Sequence, residues 1–134
     1  MEFVDTNVLA YAHDTSAGSK YDASKNLIFR LSEQGQGCVS IQVLCELYSV
    51  ATRKLRFKGE EAEQIIGDFG AWFIHRPTHA SLLNAARLER RYRIAWWDAL
   101  VLNSALEAGC TTLWTEDFTD GQRFSSLRVR NPFV

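Results

Sequence analysis

This 134-residue sequence predicts an α/β fold with a short, mostly parallel central sheet flanked by helices. Three observations point to it. Short apolar, β-branched or alternating runs recur along the chain at 2–4, 37–41, 73–77, 110–115 and 126–130. Longer segments with helical apolar spacing separate most of them. Two prolines in all, and no Gly/Ser-rich run, leave no linker in the alternation, so one domain over 1–134 is expected.

Each element has its own reason. Residues 2–4 read as a short buried strand, and a helix starts just after Asp5. "SKYDASKNLIFRLSEQ" (19–34) is a helix with Ser19 as its cap and Gly35 as its stop. "GCVSI" (37–41) is the second strand. From Ile41 to Leu55 the residues Ile41, Leu44, Cys45, Tyr48, Ala51 and Leu55 follow helical spacing. "GEEAEQIIGDFGAWF" (59–73) is a further helix weakened by Gly67 and Gly70; its apolar bulk makes it a candidate interaction surface, with core packing the default. "FIHRP" (73–77) is strand-like, and Thr78 then caps a helix to about Tyr92. Trp97 to Ala108 is the last helix, ended by Gly109. "CTTLWT" (110–115) and "SLRVR" (126–130) complete the sheet.

Bulk properties exclude several classes. Hydrophobic content of 46% and charged content of 23% are those of a soluble globular chain. No apolar run approaches the ~20 residues of a membrane helix. The N-terminal segment, with two acids, does not read as a signal peptide. Cys38, Cys45 and Cys110 are an odd set without motif spacing, which reads as reduced core thiols in a cytoplasmic protein. A net charge of −1 makes no general demand for nucleic acid, so any such binding needs local basic patches.

The acids carry the chemistry. In "EFVDTNVLAYA" an apolar run breaks on Asp5 and resumes at once. A helix cap and a functional acid account for Asp5 equally well. Glu46 falls with Gln42, Ser49 and Arg53, off the apolar stripe, where a solvated residue is the ordinary reading. Asp98 stands three, four and seven residues before Val101, Leu102 and Ala105, so it projects from an apolar face in the first helical turn, where an N-cap favoured by the helix dipole is the ordinary reading. "TEDFTDGQ" places Glu116, Asp117 and Asp120 after a strand, in what also reads as an Asx-rich turn. In parallel α/β sheets, sites form beyond the carboxyl ends of the strands, where Asp5 and this last group lie. Two carboxylates ~5 Å apart repel by roughly 3 kcal/mol at an effective dielectric near 20. Four converging carboxylates would therefore rise in pKa or bind a hard cation such as Mg²⁺ or Mn²⁺. His75 and His79 are separated by Pro77, and no zinc spacing, phosphate loop or serine elbow is present.

Taken together, "FVDTNVLAYA", "CELYSV", "WWDALVLNSALEAGC" and "LWTEDFTDGQ" resemble, in order, the four acidic motifs of PIN-domain ribonucleases. The likeness is greatest to VapC-type toxins of prokaryotic toxin–antitoxin pairs, and "LRVRNPF" resembles their last strand. The resemblance implies a PIN-like three-layer sandwich. It implies Asp5, Glu46, Asp98 and Asp117 as catalytic acids, with Asp5, Asp98 and Asp117 holding Mg²⁺ or Mn²⁺. Thr6 and Asn7 match the small polar pair after the first acid, and Thr115 the hydroxyl residue before the fourth. Asp120, like Glu116, is near enough to Asp117 to share or compete for that role.

The implied reaction is metal-assisted hydrolysis of RNA, leaving a 3′-hydroxyl and a 5′-phosphate. The implied partners are an RNA substrate, a cognate antitoxin protein and a second copy of the chain as homodimer. Arg87, Arg90, Arg91 and Arg93 before Asp98, and Arg53, Lys54, Arg56 and Lys58 after Glu46, are basic clusters for phosphates or simply solvated helix ends. Trp96 and Trp97 suit base stacking but more often serve as core or interface residues. A non-catalytic RNA- or protein-binding module and a Mg²⁺-dependent aspartyl-phosphate protein are the rival readings. Asn7 stands where a haloacid-dehalogenase-type phosphatase wants its second aspartate, and "CTTLWTEDF" lacks a receiver's lysine.

Overall fold

The structure is a computed structural model that describes residues 1–134. Six strands form one sheet: β1 (Glu2–Val4), β2 (Gly37–Ser40), β3 (Phe73–His75), β4 (Thr112–Trp114), β5 (Arg123–Phe124) and β6 (Leu127–Arg130). Their order is β3-β2-β1-β4-β6-β5, parallel throughout except for the antiparallel β5–β6 edge hairpin. Six α-helices flank it in a three-layer α/β sandwich: α1 (Thr6–Tyr11), α2 (Ser19–Gln34), α3 (Ile41–Arg53), α4 (Gly59–Gly67), α5 (His79–Tyr92) and α6 (Trp96–Glu107).

The sheet is short because its strands are short, and its centre is dry. Phe3, Val4, Cys38, Val39 and Leu113 are fully buried, joined by Val8, Leu9, Leu31, Leu47 and Leu102 from the helices. Strand β1 pairs with β2 on one side, Phe3 opposite Cys38, and with β4 on the other, Phe3 opposite Leu113. From β1 the chain winds outward through β2 to β3, then crosses back to place β4 against the other edge of β1. That reversal is a topological switch point, where the loops beyond two neighbouring strands diverge and leave a crevice.

Helix ends follow local chemistry. Ser40 Oγ accepts the Val43 N–H and starts α3. Thr78 accepts from the Ser81 N–H and starts α5. Gly35 (φ 63°) and Gly109 (φ 71°) turn the chain left-handed after α2 and α6, where a side chain would be strained. Several expectations need adjustment. Gly18, not Ser19, occupies the cap of α2, and Ser19 is its first helical residue. The helix expected over 59–73 stops at Gly67, and Asp68–Ala71 form a 3₁₀ turn, as two glycines three apart weaken helical propagation. The pair β5 was not anticipated, since two residues carry no periodicity. Helix α6 is buried on all sides from Ala99 to Ala105 rather than along one stripe. Cys38 and Cys110 are buried and unpaired as expected, but Cys45 is exposed, because α3 turns that position away from the sheet. No helix is long and apolar enough to cross a membrane.

Candidate active site

The crevice at the switch point holds a cleft of about 400 Å³ built from four stretches of chain. Its floor is the end of β1 and of β4: Asp5, Thr6 and Asn7 from the first, Glu116 and Asp117 from the second. One wall is a stripe of α3 and its C-cap, Glu46, Val50 and Lys54, which recur every four residues and so face one way. Another is the first turns of α6, with Trp97, Asp98 and Val101. Ala10, Tyr11 and Asp14 close the side along α1.

Asp5 is the deepest acid, only 5% exposed. It caps α1: one carboxylate oxygen accepts the Thr6 N–H at 2.7 Å, and the other accepts the Thr115 hydroxyl at 2.9 Å. Asp5 thus caps α1 and lines the cleft with the same side chain. Burial pushes its carboxyl up to about 7; those two hydrogen bonds oppose the rise, and the charges of Asp117 and Glu46 add to it. Thr115 is fully buried and organises the floor. While donating to Asp5 it accepts the Asp117 N–H at 3.1 Å, linking the first acid to the last. Asn7 Nδ2 donates to Asp117 Oδ2 at 2.9 Å and orients that carboxylate.

Glu46 and Asp98 hang from the helical walls. The Glu46 carboxyl is raised, chiefly by burial, against a hydrogen bond from Gln42 at 2.6 Å, with Asp98 and Asp117 adding to the rise. Its place off the core stripe of α3 is what lets it face the cleft. Asp98 is the third residue of α6, with Ala95 as the cap, so the capping reading of Asp98 fails. Its carboxyl too is raised by burial and then by Asp117. Asp5, Glu46 and Asp98 thus each feel the charge of Asp117.

In kind, these donors fit a hard divalent ion. All are oxygens, Asp98 is not spent on a helix cap, and Thr6 Oγ1 and Asn7 Oδ1 are buried without a hydrogen-bond partner beside them. The ligating geometry is not pre-formed, as no three acidic, histidine or cysteine side chains are gathered into a metal-holding group.

The PIN domain family model matches residues 3–119, from β1 through the acids beyond β4. The chain belongs to the PIN-domain family. Solved structures agree on the fold. A toxin–antitoxin complex from Klebsiella pneumoniae superposes with a TM-score of 0.72 at 17% identity, covering 98% of each chain. The Mycobacterium tuberculosis toxin VapC20, which cleaves the sarcin–ricin loop, gives 0.71 at 18% identity, over 96% of this chain and 99% of its own. VapBC2 from Rickettsia felis, bound to a promoter DNA fragment, gives 0.69 at 22% identity over 97% of each. A sequence comparison with curated proteins finds no significant match.

Not every residue expected at this PIN site reaches it. Asp120 lies outside the cleft; its carboxylate accepts the Asn131 N–H at 2.9 Å and pins the turn to the segment after β6. Glu116 lines the cleft, but its two oxygens accept from the Tyr11 hydroxyl at 2.8 Å and from Lys20 Nζ at 2.9 Å. Asp117 is the freer of the two neighbours. Arg87, Arg90, Arg91 and Arg93 are exposed on α5 and its end, and none lines the cleft. Closeness to Asp98 in sequence misleads here, because the chain turns at Arg93, in left-handed conformation, before α6 begins. Of the second cluster only Lys54 reaches the cleft. Trp96 packs on Ala85, Ala99 and Leu100, whereas Trp97 is 61% exposed at the cleft and is no core residue. Asp14, Tyr11 and Lys20 were missed. Asp14 sits in the connection after α1, Tyr11 ends α1 and Lys20 opens α2, and nothing in those local patterns gives a direction in space.

Proposed function

We propose that this protein is a divalent-metal-dependent endoribonuclease, the toxin of a toxin–antitoxin pair. The observation that carries the reading is the meeting of Asp5, Glu46, Asp98 and Asp117, from four separate segments of the chain, in one cleft of a PIN fold. Such a group of carboxylates, three of them (Asp5, Glu46 and Asp98) with carboxyls raised by burial, has little structural use and costs stability.

Asp5, Asp98 and Asp117 would hold Mg²⁺ or Mn²⁺, with Glu46 facing them across the cleft. The ion would supply an activated water at neutral pH and charge stabilisation at the phosphate. The chain's own residues do the positioning. Thr115 and the Thr6 N–H fix both oxygens of Asp5, and Asn7 fixes one oxygen of Asp117. Glu46, held by Gln42 and raised by burial, can take up a proton as the substrate is attacked. Val50, Leu55 and Val101 keep the walls apolar, which strengthens electrostatics inside.

The toxin assignment is supported by neighbours that are themselves toxins or toxin–antitoxin complexes. A cognate antitoxin would inhibit by sending a basic side chain into the acidic cleft, relieving carboxylate repulsion and blocking the ion. A homodimer working in the cytoplasm is part of the same proposal.

The test is cleavage of total RNA by purified, partner-free protein in Mg²⁺, Mn²⁺ or EDTA, alongside folded Asp5→Asn and Asp98→Asn variants. Discrete fragments that need metal and vanish in both variants are expected. Folded wild-type protein that cuts no tRNA, rRNA or mRNA would leave a non-catalytic binding module.

A further inference from the structure

Trp97 is a large aromatic side chain left 61% exposed where neighbouring positions are committed. Its predecessor Trp96 packs against the small apolar cluster of Ala85, Ala99 and Leu100. That packing sets the rotation of α6, and rotation by one residue, about 100°, turns Trp97 to the cleft beside Asp98. Across the cleft, Lys54 is two helical turns beyond Glu46 on the same stripe of α3, about 12 Å along the axis. Lys54 is the only basic side chain lining the cleft, and it has no ion-pair partner.

Building on the ribonuclease reading, we propose that Trp97 stacks on an unpaired base next to the scissile phosphate, and that Lys54 holds a neighbouring phosphate. Chemistry favours this occupant over a protein segment. A phosphate drawn to the acidic floor through a cation carries its own base within reach of the wall that bears Asp98, and every base offers a π-face to an indole. A duplex keeps its bases stacked inside and offers none. Lys54 complements the phosphate charge that four carboxylates otherwise repel. Both residues act in substrate positioning, and neither handles the reacting atoms.

The experiment compares wild type with Trp97→Ala, Trp97→Phe and Lys54→Gln on a short RNA containing the mapped cleavage site. Versions of that RNA carry one abasic nucleotide at each flanking position. Trp97→Ala should raise KM about 5- to 150-fold, the span of a base–aromatic stack, with kcat nearly kept, and Trp97→Phe should recover most of the loss. One abasic position should penalise wild type by a similar factor and Trp97→Ala not at all. Lys54→Gln should weaken binding for all sequences and flatten its salt dependence by about one phosphate contact. An unchanged KM in Trp97→Ala, or an equal abasic penalty in both proteins, overturns the proposal. Loss of antitoxin binding with RNA kinetics intact overturns it too, making Trp97 a protein anchor.

If wild type cuts no RNA, the ribonuclease reading fails separately. Equilibrium binding of single-stranded against duplex oligonucleotides then decides. A single-strand preference lost in Trp97→Ala upholds the stacking site, and its absence ends it.

Discussion

Replacing Asp5 by asparagine should make the metal-free protein more stable at alkaline pH, although it removes the best-placed acid of the cleft. A carboxyl raised by burial from 3.8 to about 7 keeps its proton in the native state where the unfolded chain has lost it. Stability therefore falls as pH rises across that window and is level above it. The full cost of the ionised group is about 4 kcal/mol. Asparagine has the same shape and no charge, so it removes that cost. It also presents an N–H₂ where Asp5 accepts from Thr6 and Thr115, and refitting one of those bonds costs about 1–2 kcal/mol. The net gain at pH 8 should be about 2–3 kcal/mol, or roughly 5–12 °C in Tm. Thermal unfolding followed by circular dichroism in EDTA, from pH 4 to 8.5, measures it. The gain should shrink through pH 6 and become a small loss by pH 4, where wild-type Asp5 is protonated as well. A variant no more stable than wild type at pH 8, or a gain that does not change with pH, would refute the account of Asp5 as a destabilising buried charge.

Four further outcomes follow from the structure. Asp117→Asn should lower RNA cleavage at least 100-fold and Glu116→Gln less than tenfold; the reverse order in a single-turnover assay would make Glu116 the fourth acid. Glu116→Gln should also bring the Tyr11 hydroxyl, raised chiefly by its bond to Glu116, back toward its ordinary titration, seen in phenolate absorbance. Thr115→Val strips a hydrogen bond from buried Asp5 and one from the Asp117 N–H, so urea unfolding should show a loss of about 2–3 kcal/mol that Thr115→Ser largely avoids. Gly37→Ala would put a Cβ 2.3 Å from the Trp72 ring, itself buried and bonded to Ser32; a loss of at least about 1–3 kcal/mol in unfolding is expected, and a change below about 0.5 kcal/mol would contradict the packing.

Much of the fold was legible because its signals are local. Strand composition, the caps at Ser40 and Thr78 and the glycines after α2 and α6 depend on a few neighbours each. The alternation of strand and helix then implied a parallel sheet. The same holds for the acids as residue types, since a carboxylate breaking an apolar run can be seen without coordinates. Where the reading slipped, the missing information was spatial. Arg87 to Arg93 are near Asp98 in number and not at the cleft, and Asp120 serves the segment after β6, three and four residues from acids that line the cleft. The wheel position of Glu46 alone read as solvated; only the family resemblance marked it as a cleft acid, and α3 does turn that stripe to the cleft.

The sequence by itself determined the main strands and helices, their order, and the four acidic motifs by which the chain resembles its family. Tertiary structure alone decided that β4 returns to lie against β1, so that Thr115 reaches Asp5 across 110 positions of chain. It also decided that Trp96 is packed and Trp97 left open, and which cation stands in the cleft. The reason is one of range. Propensity and capping are settled within about one helical turn, whereas a site is set by which strands pair and how each helix is rotated on the sheet. Those depend on the whole core, and no local pattern records them.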